Sequence, residues 1–175
     1  VLAKAGYGRY EISNYAKPGY ECRHNIGYWT RENYLGLGLG AASLVDNVRY
    51  SNTRELDEYT AICHDLTILP PEAFAPEDGM AAPERNWFGS NLHTEASVVS
   101  RKSQMEEFMF LGLRMTDGIA RDEFEHNFGM PIEAAYVQVL PELQAQGLIE
   151  KREGRIYLTD RGMDVANYVM AQFLL

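Results

Sequence analysis

The sequence predicts an α/β segment followed by a small winged-helix-like α+β domain, and three features predict it. The chain opens with a helix tail, a short turn and an alternating strand, which is an α/β unit. A run of alternating glycine and leucine at 35–40 reads as a further strand, directly after a cluster rich in aromatic and ligand-type side chains. From residue 100 the pattern is helix, helix, helix, hairpin, helix, the plan of a winged-helix unit. The expected division is 1–70 for the α/β segment, 71–99 for a linker or insertion, and 100–175 for the second domain.

Composition narrows the function classes. The 175 residues are 46% hydrophobic with a formal net charge of −9, and the pI is near 4.9. That length holds one sizeable domain or two small ones. The acidic balance argues against sequence-independent binding to nucleic acid or to anionic membranes, since both rest on Lys and Arg. Two cysteines, Cys22 and Cys63, make no disulfide framework, so a cytoplasmic location is expected. No apolar run approaches a membrane span and no signal peptide is visible. Val1 is not methionine, and Leu2-Ala3-Lys4-Ala5 reads like a helix tail, so the chain is expected to be a piece of a longer protein.

The elements follow in order. Gly6 closes the helix tail as a C′ residue. Tyr10-Glu11-Ile12-Ser13-Asn14 alternates, with Tyr10 and Ile12 expected on one face and Glu11 and Ser13 on the other. Ligands gather at the carboxyl ends of strands in α/β folds, which would place Ser13 and Asn14 at such a mouth. Lys17-Pro18-Gly19 breaks the chain into a loop delivering Cys22-Arg23-His24-Asn25-Ile26-Gly27-Tyr28-Trp29. A second strand is expected over 34–43, with Leu35, Leu37 and Leu39 on a core face and Gly36, Gly38 and Gly40 on a bare one. Glycines inside a strand often mark close approach of a ligand or another backbone.

Asn52-Thr53-Arg54-Glu55 resembles a capping box, and Leu56, Tyr59, Ile62, Cys63, Leu66 and Leu69 continue at helical spacing up to Pro70-Pro71. Cys63 is therefore read as a small core residue. From 71 to 99 prolines and glycines recur without a period, although Trp87, Phe88 and His93 imply that part of the stretch packs. Ser103-Gln104-Met105-Glu106 reads as a capping box opening a helix with Met105, Phe108, Met109, Leu111 and Met115 on its apolar stripe. A helix through Phe124 and Phe128 ends at Gly129, and Pro131 opens another over 132–146 that Gly147 stops, with Pro141 predicting a kink or offset first turn. The strands 148–150 and 155–158 flank Glu153-Gly154 as a hairpin, and Thr159-Asp160 caps the last helix. Over 97–175 eight basic residues face twelve acidic ones, and the third helix carries no Lys or Arg, which argues against DNA reading.

The 20–43 stretch is the candidate site. A histidine, a cysteine, an arginine, a tyrosine and a tryptophan within eight residues suit a flat, charged or metal-containing ligand. One His with one Cys falls short of a zinc site, which takes about four ligands, and on periodicity alone His24 reads equally well as structural. Gly36-Leu37-Gly38 with Ala41 fits a dinucleotide fingerprint, but that pattern needs a strand before it and a helix opening at it, whereas Leu35 to Leu39 reads as the strand itself.

Several spaced motifs together resemble a known family. Tyr10-Glu11-Ile12-Ser13-Asn14-Tyr15-Ala16, His24-Asn25-x-x-Tyr28-Trp29, Tyr34-Leu35-Gly36-Leu37-Gly38 and Glu106-Glu107-Phe108-Met109-Phe110-Leu111-Gly112-Leu113-Arg114 are similar to the C-terminal half of radical S-adenosylmethionine (SAM) proteins related to oxygen-independent coproporphyrinogen III oxidase. The H-N-x-x-Y-W form resembles the heme-chaperone branch more than the decarboxylating enzymes. The resemblance implies the end of a partial TIM-like barrel that holds SAM and a [4Fe-4S] cluster, then a small helical winged-helix-like domain. The family's C-x-x-x-C-x-x-C cluster motif has no counterpart here, so the resemblance implies no iron-sulfur ligands in this chain and no SAM cleavage by it.

Carried over by position, His24 matches the heme-contacting histidine and would ligate the heme iron, with Asn25, Tyr28 and Trp29 in orientation and stacking roles. Ser13 and Ala41 stand where the decarboxylating relatives touch SAM, although those relatives carry Asp at the first position. Ala42 stands where chaperone-type members often carry His. The function implied is heme chaperoning, with heme-accepting proteins as partners, a membrane-protein acceptor among them, and homodimerisation through an exposed barrel edge. The alternative is SAM-dependent oxidative decarboxylation of coproporphyrinogen III, whose four carboxylates would want more cations than Arg9, Lys17, Arg23 and Arg31 near the motifs. A reading of another class is an acidic winged-helix interaction module without a ligand.

Overall fold

The computed structural model describes residues 1–65 and 92–175. Its contacts divide the chain into two units, one of Val1–Glu32 with Arg101–Leu175 and one of Asn33–Ser100. This cut differs from the 1–70, 71–99 and 100–175 division, because the first 32 residues pack with the C-terminal part. The expected end of the 56–69 helix and the aromatic residues Trp87 and Phe88 lie outside the described residues.

The chain begins with a short 3-10 turn, Ala3–Ala5, that closes on Gly6 at φ 81°. Strands β1 (Gly8–Arg9) and β2 (Tyr15–Ala16) then pair antiparallel. The expected strand over 10–14 is instead the connection between them. The physical reason is Glu11, which is fully buried: its carboxylate accepts the Ser13 N–H at 2.7 Å, bending the chain around it. Helix α1 (Arg23–Trp29) carries the aromatic cluster that the sequence assigns to a loop.

The second unit is an antiparallel sheet of β3 (Ala42–Val45), β4 (Val48–Asn52) and β5 (His93–Val98), in the order β3-β4-β5, with α2 (Leu56–Asp65). Asp46 and Asn47 join β3 to β4 at φ 48° and 63°, the paired left-handed conformation of a tight hairpin turn. The leucine–glycine run is not a strand. Gly38 at φ 101° and Gly40 at φ 66° turn the backbone out of the extended region, and Leu35, Leu37 and Leu39 are 54, 84 and 44% exposed rather than packed in a core. The close approach expected at a glycine is real at Gly36, where a Cβ would lie 2.2 Å from the Ala42 carbonyl oxygen. Asn52 fastens this loop from beneath, donating to the Gly38 and Gly36 carbonyls at 2.8 and 3.3 Å. It is therefore not the cap of α2; in the turn before the helix Thr53 accepts the Glu55 N–H and donates to the Glu58 carboxylate.

The C-terminal part of the first unit runs α3 (Arg101–Gly112), β6 (Ile119–Ala120), α4 (Arg121–Phe128), α5 (Ile132–Ala135), α6 (Val139–Ala145), β7 (Ile149–Arg152), β8 (Arg155–Leu158), α7 (Asp160–Asp164) and α8 (Ala166–Ala171). Helix α3 starts two residues before Ser103, which lies inside the helix rather than at its cap. The expected 132–146 helix is two pieces, and Pro141 falls in the first turn of the second, where its missing N–H leaves no helical bond unmade. Pro131 is the cap of α5 rather than its first residue. The β7–β8 hairpin and the Thr159 cap form as expected, with the Gly162 N–H donating to Thr159 Oγ1 at 3.0 Å. Strand β6 adds a third member to that hairpin, in the order β6-β8-β7.

Alternating and helical apolar positions converge on one core. Met109, Phe124, Ile132, Ile156, Val169 and Phe173 have no exposed surface. Phe124 and Phe128 pack at 4.7 Å between ring centroids, and Tyr136 meets Phe173 edge-on at 5.1 Å. No helix of the described residues is long and apolar enough to cross a membrane.

Candidate functional site

Helix α1 brings four of the candidate residues, His24, Asn25, Tyr28 and Trp29, onto about two turns. Its start is weakly made: Cys22 caps it with no side-chain hydrogen bond, and no residue of the helix is buried. The other end is tied down, since the Thr30 N–H and hydroxyl both donate to the Ile26 carbonyl at 2.9 and 3.0 Å. His24 is exposed, and its ring stands edge-on to Tyr28 at 4.7 Å and 76°, as residues four apart on a helix do. Asn25, Tyr28 and Trp29 are half-buried.

Trp29 sits against a charge relay that joins distant stretches of the chain. The Arg114 guanidinium carbon lies 4.2 Å from the Trp29 ring centroid. Arg114 Nη2 in turn meets Glu11 Oε2 at 3.1 Å, on a carboxylate with no exposed surface. The other Glu11 oxygen holds the Ser13 N–H, so Ser13, itself exposed, stands on the same anchor. Two residues beyond the helix, Arg31 at φ 56° donates its Nε to Glu107 Oε2 at 2.7 Å. Ala41 belongs to the other unit, half-buried, its N–H donating to the Gly38 carbonyl at 3.3 Å.

Glu11, Glu107 and Arg114 are the residues that sequence reasoning passed over. All three lie inside motifs it quoted, and the signal was available: charged residues embedded in otherwise apolar runs are costly to bury unless they pair. Which charges pair across 76 and 103 residues was not readable from spacing.

The site's room is at its exposed end. A cavity of about 60 Å³ beside Trp29 and Arg31, walled by Phe108, Gly112, Met115 and Ile119, holds a few waters at most. A larger cleft of about 500 Å³ is lined by Asp122, Glu125, Glu133 and Glu153 along with Arg121 and Arg155, a poor match for an anionic ligand. Among the described residues no group of three or more His, Cys, Asp or Glu could hold a metal ion. Cys22 precedes α1 and Cys63 lies in α2, so the described residues do not fit an iron-sulfur cluster.

Known proteins share this sequence and fold. The family described as the HemN C-terminal domain matches residues 99–165. A protein named heme chaperone HemW from Lactococcus lactis is 37% identical over 175 residues, covering 100% of this chain and 40% of the relative. A protein of that name from Escherichia coli is 56% identical over 174 residues, 99% of this chain and 40% of its own length. The Bacillus subtilis protein of that name is 32% identical over 169 residues. The chain thus spans about two fifths of the relatives it matches. The solved structure of coproporphyrinogen III oxidase (HemN) from Escherichia coli, a radical SAM enzyme, has the same fold: TM-score 0.63 at 15% identity, over 99% of this chain and 38% of that one.

Proposed function

We propose that this chain, whose residues 99–165 match the HemN C-terminal domain family and which is similar to proteins named heme chaperone HemW, is part of a heme chaperone of the radical SAM family that holds heme through His24 and passes it to acceptor proteins. The observation that carries this reading is the polarity of α1. Its histidine end is exposed, while Trp29 and, just beyond the helix, Arg31 fasten the opposite end to Arg114 and Glu107. An imidazole presented this way is a ready axial ligand for heme iron, and the accessibility that lets it bind also lets an acceptor take the heme away. Tyr28 limits the swing of the ring, and Asn25 and Trp29 complete the motif in orientation and stacking roles.

SAM and the [4Fe-4S] cluster are ligands of the intact protein in this reading. Ser13 and Ala41 would meet SAM there, and no step is assigned here to the cluster. The relatives named heme chaperones support the heme-handling role. The decarboxylating alternative has less support in the chain itself. A substrate with four carboxylates needs several cations, and of Arg9, Lys17, Arg23 and Arg31 near the motifs Arg31 is already paired with Glu107. A cytoplasmic location and homodimerisation through a strand edge belong to the same proposal.

The test is a hemin titration followed at the Soret band on this chain and on His24→Ala. Saturable binding that the substitution abolishes is the expected result. Binding that survives it unchanged would overturn the assignment to His24, and no binding by the unaltered chain would overturn the heme reading.

A further inference from the structure

We infer that Glu11 and Arg114 are positioning residues that set the direction in which α1 presents His24. The inference rests on the heme reading for its consequence, though not for its geometry.

Helix α1 has seven residues, none of them buried, and no side-chain cap at its start. A helix that short does not hold itself in water. The direction of His24 is therefore fixed by whatever grips the far end of the helix, and there the grip is electrostatic. The Arg114 guanidinium carbon lies over the Trp29 ring, 4.2 Å from its centroid, and the guanidinium is held in turn by the wholly buried Glu11 carboxylate at 3.1 Å. The backbones of the two residues are also pinned together, because the Ile12 N–H donates to the Arg114 carbonyl at 3.0 Å and Glu11 bridges Met115.

The chemistry of the pair points to orientation more than to stability. Burying two charges costs about as much as their attraction returns, and such pairs are best attested where they fix register. Arg114 Nε is buried without a hydrogen-bond partner, so its guanidinium is not placed by saturating its donors. Its plane is set by Glu11 on one side and the indole on the other. Glu11 also holds the Ser13 N–H at 2.7 Å. One carboxylate thus orients the turn bearing Ser13 and, through Arg114, the helix bearing His24.

Arg114→Lys separates the roles, since an ammonium keeps the charge for Glu11 but cannot lie flat on the indole. We expect this variant to keep the far-UV circular dichroism spectrum and to bind hemin about tenfold more weakly, with a shifted Soret maximum. The α1 amides of Ile26 and Thr30 should exchange about tenfold faster while those of the Phe124–Phe128 core are unchanged. Glu11→Gln should act in the same direction. Wild-type hemin affinity, Soret position and α1 exchange in both variants would overturn the inference. Should Arg114→Lys fail to fold, Glu11→Leu/Arg114→Met replaces the pair with apolar side chains and is read by the same two signals. If the unaltered chain binds no hemin, or His24→Ala binds it equally well, the heme reading fails by itself. The positioning inference is then decided by amide exchange alone: faster exchange confined to α1 supports it, and unchanged exchange overturns it.

Discussion

Arg31 and Glu107 meet at 2.7 Å across 76 residues of sequence, with only 11 and 9% of their side chains exposed. Removing one partner of a buried pair leaves the other charge uncompensated, which costs far more than the pair contributes. Glu107→Ala should lower the unfolding free energy by about 3 kcal/mol in urea titration. Glu107→Gln, which retains an oxygen able to accept from Arg31 Nε, should cost clearly less. Equal losses would show that the ionic character of the contact is what counts.

His24 should behave in the opposite way. Its ring is exposed and stands 4.7 Å from the Tyr28 ring centroid within α1. His24→Ala is therefore expected to shift unfolding by no more than about 0.5 kcal/mol while abolishing the hemin-induced Soret change. A large loss of stability would mean that the helix depends on this side chain.

In the second unit, His93 sets a pH dependence. Burial pushes its imidazole below the ordinary value of 6.5. The Asn52 amide nitrogen is used on the Gly36 and Gly38 carbonyls, so its oxygen faces His93 at 3.1 Å and accepts a hydrogen bond from the Nδ1–H. Because the unfolded chain takes up its proton at higher pH than the folded one, this contribution is full above about pH 6.5 and is lost as pH falls towards the lowered value. Unfolding followed from pH 7.5 to 5.5 should show the decline, and His93→Gln should flatten it.

The turn beneath the exposed leucines is sterically closed at Gly36. A methyl group there would sit 2.2 Å from the Ala42 carbonyl oxygen, so Gly36→Ala must displace the loop and break the Gly36 N–H bond to Ser43 Oγ. We expect a loss of at least about 2 kcal/mol by thermal unfolding. Gly19→Ala is a suitable contrast, since its Cβ would meet nothing within 4 Å and only the backbone at φ 83° resists.

Much of residues 101–175 was legible because the signals there are local. The Glu153-Gly154 turn, the Thr159 cap and the apolar spacing through Phe124, Phe128 and Leu140 each act over a few residues. The first part was harder for a physical reason. Alternation in residues 10–14 gave a strand with Glu11 and Ser13 on one face, but the Glu11 carboxylate is buried against a partner 103 residues away. The leucine–glycine run has perfect strand period, yet period cannot report that Gly38 and Gly40 adopt positive φ. Asp46-Asn47 was a readable hairpin signal that the longer alternation masked. For the candidate site, the four motif residues were legible as a group, whereas their helical layout and the charges that fasten it were not.

The distance between Glu11 and Arg114 along the chain also sets an order of assembly. At a synthesis rate of about 5–20 residues per second, residue 114 follows residue 11 from the ribosome by about 5–20 s. Through that interval residues 1–32 are without residues 101–175, which belong to the same unit. Asn33–Ser100 emerges in between as a unit of its own. The contact between Glu11 and Arg114, and with it the proposed presentation of His24, is therefore completed only after residue 114 has been made.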